Sequence, residues 1–467
     1  MNTREILDPQ RKALKVNLDT RRYGTFAEIG AGQEVVRWFF RAGAAAGTIA
    51  KSISAYDMTV SDAIYGKADR YVTRQRLAQM LNHEYDLNIE RLKEKRGDNT
   101  AFFAFADTVA AQSFKGNNEC HGWMGVRFQA HPRDEVSQIV IHVRMWDKDA
   151  AAQSEALGIV GVNLLYGAFF HHHEPEVLIE SLLDGLSIQR IEVDMIEFNG
   201  IEFRHVDNRL MSLKLVSLGL TDAAMFGPGG EVMQPSEVFY KKNVLVERGS
   251  FRPVCRVHLD MLESAREEFY RMPGVQQCET LEIVEMTMKN LLEAGTIDGR
   301  DFLARADMLG ACGKTVLVSN FAQYFRLAAY LARYTKQKLA VVLGSHSLLE
   351  LFDEKYYTEL PGGILEAFGR LYKNDLHLYA YPWQDGETTR SIENLPIPED
   401  LSKLYGYLVD RGLIVSVAPS DPSCLGIRAS EVLEKIRKAD EGWREAVPPE
   451  VAEVIVSRGL FGYPRKD

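Results

Sequence analysis

Between residues 296 and 381 the chain alternates wholly apolar runs with amphipathic stretches, a pattern that few architectures accommodate. The run TVLVSN, from Thr315 to Asn320, is followed by AQYFRLAAYLARY, KLAVVLGS, HSLLELFDEKYY and later LHLYAYP. Strands without polar alternation are buried on both faces, and connections of about a dozen helical residues suit crossovers between parallel strands. The segment therefore predicts two right-handed strand–helix–strand units. The fold class implied is α/β: Rossmann-like, mostly parallel sheet(s) covered by helices.

The rest of the chain is read around that segment. Up to residue 98 the pattern is helical, with Leu77, Met80, Leu81, Leu87 and Leu92 spaced for one face of a long helix over 74–96. Upstream, Gly43 and Gly47 are expected on one helical face, packed closely. AFFAFADTVA predicts a buried strand, and GWMGVRFQ with QIVIHVRMW an antiparallel hairpin, since Ile139, Ile141, Val143 and Met145 alternate with Val140, His142, Arg144 and Trp146. IQRIEVDMIEF, DAAMF and NVLVERGSF read as further strands. After them come a helix stopping at Gly313, the parallel segment, helix DLSKLYGYLVDRG, strand LIVSVAP and two closing helices. The expected organisation is an N-terminal helical segment (1–98), a first α/β lobe with the hairpin (99–254) and a second α/β lobe (255–467).

Composition narrows the function class. With 65 acidic against 55 basic residues and no basic block, the chain has a net charge of −10 and is a poor match for nucleic acid. Cys120, Cys255, Cys278, Cys312 and Cys424 are widely spaced and odd in number, as expected of reduced thiols. The N-terminus lacks the apolar core of a signal peptide. The most apolar stretch, Ala156 to Phe170, falls short of the roughly 18–20 residues of a spanning helix. A cytoplasmic protein without a membrane partner is expected.

Several motifs bear on chemistry. Gly30-Ala31-Gly32 could open a phosphate-binding helix, but Val35 stands where a third glycine belongs and RRYGTFAEI shows no clear strand. Gly313-Lys314-Thr315 runs from helix to strand, the reverse of a P-loop. In His171, His172, His173 and Glu174, consecutive helical positions diverge by about 100°, so the histidines are expected to complete a helix end, with no metal. Arg248 and Arg252 flank Gly249 and Ser250 directly after an apolar strand, an arrangement suited to a phosphate or carboxylate. Structural arginines paired with acids are the competing reading.

Ligands in open α/β sheets sit beyond the carboxyl ends of the strands. Those ends offer Asp107 and Thr108, Asp194 and Glu197, Ser319 and Asn320, and Ser345 and His346. Ser319 and Ser345 also suit helix N-caps, and His346 is the plausible acid–base group. The candidate catalytic set is Asp107, Asp194 and His346; the candidate ligand-binding set is Arg248, Arg252, Ser319, Asn320 and Ser345. No particular cofactor is indicated.

The strings ISAYDMTVSDAIYG, ECHGWMGVRFQ, ALGIVGVNLLYGAFF, VERGSFRP, GGILEAFGRLYKNDLHLYAYP and VIVSRGLFGYP resemble, end to end, an uncharacterised bacterial family of about this length. Its members carry conflicting labels, including nicotinate-nucleotide adenylyltransferase and TonB-dependent receptor. The first implies a His-x-Gly-His near the first strand, holding nucleotide phosphates, whereas His121-Gly122 here is followed by Trp123. The second implies a secretion signal and a barrel of alternating strands, which the many helices oppose. The expected function is an enzyme binding a nucleotide or other phosphorylated metabolite; the alternative is a non-catalytic, self-assembling scaffold. A homo-oligomer is expected in either case.

Overall fold

The computed structural model describes residues 4–30, 33–113, 116, 118–292 and 296–464. The chain divides into two compact units, Met1–Asp222 and Ala223–Asp467. No helix among the described residues is long and apolar enough to cross a membrane.

Unit 1 is built on six strands: β1 (Arg22–Gly30), β2 (Ile49–Ile53), β3 (Ala101–Ala110), β4 (His121–Phe128), β5 (Ser137–Met145) and β6 (Ile191–Gly200). They lie in the order β2-β1-β3-β4-β5-β6. β1 is parallel to β2 and β3, and the remaining pairings are antiparallel. Its helices are α1 (Pro9–Leu18), α2 (Glu34–Ala42), α3 (Met58–Tyr65), α4 (Arg74–Arg96), α5 (Ala150–Phe170), α6 (Pro175–Ser181) and α7 (Asn208–Ser217).

Strand alternation sorts the side chains onto two faces. Phe26, Phe103, Phe105, Val126, Phe128, Ile139, Ile141 and Val143 join Val160 and Leu164 of α5 in one core. On the other face Tyr85 of α4 packs with Phe102 and Ala104. Gly125 admits α4 there, since a Cβ would lie 2.9 Å from the Leu81 side chain.

The first 98 residues are therefore not a helical segment, because β1 and β2 belong to this sheet. β1 occupies the stretch that showed no clear strand. It is buried on both faces, so no polar alternation marks it, and Gly24 interrupts its apolar character for a steric reason: a Cβ there would meet the Phe103 carbonyl oxygen at 2.1 Å. The two glycines expected to pack on one helical face do neither. α2 stops at Ala42, Gly43 has φ 85°, and the space where a Cβ would stand at Gly43 and Gly47 is open. Ala31 and Gly32 lie outside the described residues.

Unit 2 carries β7 (Ala223–Phe226), β8 (Val232–Met233), β9 (Asn243–Arg248), β10 (Thr280–Thr287), β11 (Thr315–Ser319), β12 (Leu339–Gly344), β13 (Leu376–Tyr381), the hairpin β14 (Trp383–Asp385) and β15 (Thr388–Arg390), and β16 (Ile414–Ser416). Its helices are α8 (Pro235–Val238), α9 (Arg256–Tyr270), α10 (Met288–Leu291), α11 (Gly299–Ala311), α12 (Tyr324–Tyr334), α13 (Ser345–Leu351), α14 (Gly363–Leu371), α15 (Ser402–Asp410), α16 (Ala429–Arg437) and α17 (Pro449–Arg458). The main sheet runs β16-β13-β12-β9-β10-β11-β7-β8. From β16 to β11 every pairing is parallel, and β7 and β8 complete the edge antiparallel.

Counted from β9, the parallel strands stand in the order 3-2-1-4-5-6 of a doubly wound α/β sheet. The α/β, mostly parallel class is thus present here, while unit 1 is mixed. A boundary at 254/255 would cut β9, the central strand, away from its own sheet. β10, which sequence reading did not single out, was obscured by Glu282 and Glu285 within it.

Candidate functional site

The direction of a doubly wound sheet reverses between its first and fourth strands, and ligands occupy the crevice beyond the carboxyl ends at that point. In unit 2 these strands are β9 and β12, paired from Leu339↔Val244 to Val342↔Glu247. The turn from Gly249 to Cys255 carries the chain from β9 into α9.

Arg248, at the end of β9, is fully committed. Its Nε and Nη2 donate to the two oxygens of Glu285 at 2.7 and 3.0 Å, and Nη1 donates to the Ala322 carbonyl at 3.2 Å. Ser319, at the end of β11, donates to the same Glu285 carboxylate. The guanidinium also lies 4.3 Å from the Tyr324 ring centroid. Although burial opposes charge on Arg248, Glu285 more than compensates and its pKa is raised. The cluster joins three neighbouring strands.

Arg252 differs. Its Nε donates to Asp301 at 2.7 Å, and Asp301 also accepts from Nε of Arg305 at 2.7 Å. Arg305 in turn donates to the Ser250 carbonyl at 3.0 Å. The ion pair engages only Nε of half-buried Arg252.

The start of α9 is closed rather than reactive. Phe251 is fully buried with φ 49°, and its ring packs edge-on against His258 at 5.1 Å. The Cys255 backbone N–H donates to His258 Nδ1 at 2.9 Å. Burial pushes the Cys255 thiol up to about 12 and the His258 imidazole down to about 4. His258 thus serves as a cap at the start of α9.

The remaining rim residues come from β11 and β12. Ser345 is buried and donates to the Tyr381 carbonyl at 2.9 Å. His346 and Asn320 are exposed. The His346 ring stands 5.6 Å from Trp383, and its pKa is lowered by desolvation, against the pull of Glu350.

Asp107 and Asp194 belong to unit 1, on opposite faces of its sheet. Asp107 sits opposite Glu28 in the β1–β3 register and is fully buried. Glu28 accepts from the backbone N–H groups of Gln33, Val35 and Val36 at 2.9, 3.0 and 3.2 Å, tying down the start of α2. Burial, and next the adjacent Glu28, hold the Asp107 carboxyl well above its usual range. On the other face, Asp194 contacts His142 Nδ1 at 2.5 Å, and His142 Nε2 contacts His121 Nδ1 at 3.0 Å. Burial, then His142 and Arg144, push His121 down to about 4. His121 and His142 were not candidates, although the β5 alternation had already placed His142 beside Arg144.

A separate groove of about 480 Å³ is lined by Phe325, Arg326 and Arg333 of α12, Arg370 of α14, and Lys373. Sequence reading missed it because its cations are dispersed over 48 positions and meet only through helix packing.

No protein-family model matches the chain, and no curated protein does. Solved structures give distant likenesses. The competence/damage-inducible protein CihA from Agrobacterium tumefaciens is 14% identical at a TM-score of 0.25, covering 35% of this chain and 97% of its own. A competence-damaged protein (CinA) superfamily protein from Enterobacter cloacae is 11% identical at 0.26, covering 36% and 96%. The nicotinic acid mononucleotide adenylyltransferase of Plasmodium falciparum is 13% identical at 0.30, covering 48% and 98%. At these TM-scores the likenesses carry no functional argument.

The buried acid pair gives a pH-dependent prediction. Because the Asp107 pKa is raised on folding, its protonated form is accommodated below the unfolded value of about 3.9, and stability falls as pH climbs towards the folded value. Asp107→Asn, which mimics the protonated acid, is expected to raise the urea midpoint at pH 8 and to lose that advantage towards pH 5. An advantage independent of pH would contradict the assignment.

Proposed function

We propose that unit 2 binds a nucleotide or another phosphorylated metabolite over the carboxyl ends of β9 and β12. The observation that carries this reading is the 3-2-1-4-5-6 strand order, which creates a crevice at one defined place. Arg252 supplies the anion contact through its terminal nitrogens, and the Gly249–Ser250 backbone lies beside it. Arg248 and Ser319 are positioning residues, since Glu285 holds both. Asn320, Ser345 and His346 line the rim, with His346 the candidate for proton transfer.

Isothermal titration calorimetry with ATP and with pyrophosphate tests this reading. Saturable binding is expected for at least one of them, weakened about tenfold or more in Arg252→Ala, consistent with the loss of one charge-assisted contact. Asp301 keeps Arg305 as its partner in that variant, so folding is expected to persist. Absence of binding, or equal binding by the variant, would overturn the proposal.

One feature of unit 1 favours the second reading, self-assembly. Tyr56, Met58 and Val60 are 78%, 61% and 49% exposed at the start of α3, exposed apolar side chains suited to contact with a second copy. Sedimentation velocity at micromolar concentration is expected to show an oligomer that Met58→Asp dissociates; a monomer at all concentrations would exclude that role.

A further inference from the structure

Outside the unit 2 crevice, the chain turns sharply after α5. His171 caps that helix, its N–H donating to the Gly167 carbonyl at 2.8 Å. His172 and His173 therefore lie beyond the helix, and the divergence of consecutive helical side chains does not apply to them. Their ring centroids are 3.8 Å apart.

Glu202 approaches from the turn Ile201–Phe203 that follows β6, where its backbone N–H donates to Ser137 Oγ at 3.0 Å. Its Oε2 lies 3.9 Å from His172 Nε2 and 3.9 Å from His173 Nδ1. One ligand atom from each of the three residues falls within 4.8 Å of the others.

His172 supplies the second, independent observation. It is 5% exposed, and neither ring nitrogen has a hydrogen-bond partner of normal geometry. A buried imidazole in that condition calls for a group that the neighbouring side chains do not provide. Phe128 stands beside it at 6.2 Å between centroids. His173 is 70% exposed on its side chain, which leaves a path from solvent.

We propose that His172, His173 and Glu202 form a binding site for a divalent first-row transition metal, with Zn²⁺ as the ion that fits best. Two imidazole nitrogens and one carboxylate oxygen constitute a zinc donor set that leaves a fourth position open, and the nitrogen donors disfavour Mg²⁺ and Ca²⁺. Zinc–ligand bonds of about 2.0–2.1 Å place tetrahedral ligand atoms about 3.3 Å apart. The two 3.9 Å separations from Glu202 thus need to shorten by roughly half an ångström, and exposed His173 with partly buried Glu202 can move to close the set. The site lies in unit 1 and does not depend on the reading of unit 2.

The test is a titration of the whole protein with Co²⁺ at pH 7.5, followed by visible absorption, then displacement by Zn²⁺. One Co²⁺ per chain is expected, with bands of low-symmetry coordination that Zn²⁺ abolishes. His173→Ala and Glu202→Gln, both at surface turns and checked for folding by circular dichroism, are each expected to weaken binding at least tenfold. Absence of saturable binding, or affinity unchanged in both folded variants, would overturn the proposal.

Discussion

The pairing of Arg248 with Glu285 is the constraint on which the candidate site of unit 2 depends. Arg248 ends β9 and Glu285 is its register partner in β10, and the planar fork of the guanidinium fits both carboxylate oxygens. Ser319 adds the end of β11 to the same carboxylate. With three strands joined, the chain leaving β9 must turn at Gly249, whose N–H donates to the Glu285 carbonyl at 3.1 Å. Removing one member of such a buried pair typically costs about 3–5 kcal/mol because the other is left uncompensated. The turn is secured a second time from α11, where Asp301 and Arg305 hold Arg252 and the Ser250 carbonyl.

The two arginines of the motif are therefore committed to different degrees. Sequence reading saw two arginines flanking Gly-Ser and left open whether they met an anion or the protein's own acids. The structure divides the roles: Arg248 is spent on all its nitrogens, Arg252 on one.

The parallel segment was legible because its strands are buried on both faces and leave unbroken apolar runs. The hairpin of β4 and β5 was legible through alternation. β1 and β10 were not, since Gly24 and Arg22 in one and the glutamates in the other serve tertiary neighbours instead of a periodic pattern. The strand order itself is a long-range property; only pairing shows that β9 stands at the centre and so moves the second lobe's start back to Ala223. Sequence reading gathered Asp107 and Asp194 into one catalytic set by placing both at strand ends, yet they lie inside β3 and β6, and a β-strand alternates faces at every residue. One faces Glu28 and the other His142, across the thickness of the unit 1 sheet. The closeness of His172 and His173 was hidden for a different reason: α5 ends at Phe170, so the divergence of consecutive helical positions does not apply to them.

The central claim is that the carboxyl edge at β9 and β12 is the ligand face. Hydrogen–deuterium exchange of the whole chain with and without saturating ATP tests it most directly. Slowed exchange centred on residues 249–258 and 345–349 is the predicted result. Protection confined to the groove lined by α12 and α14, or to unit 1, would contradict the account.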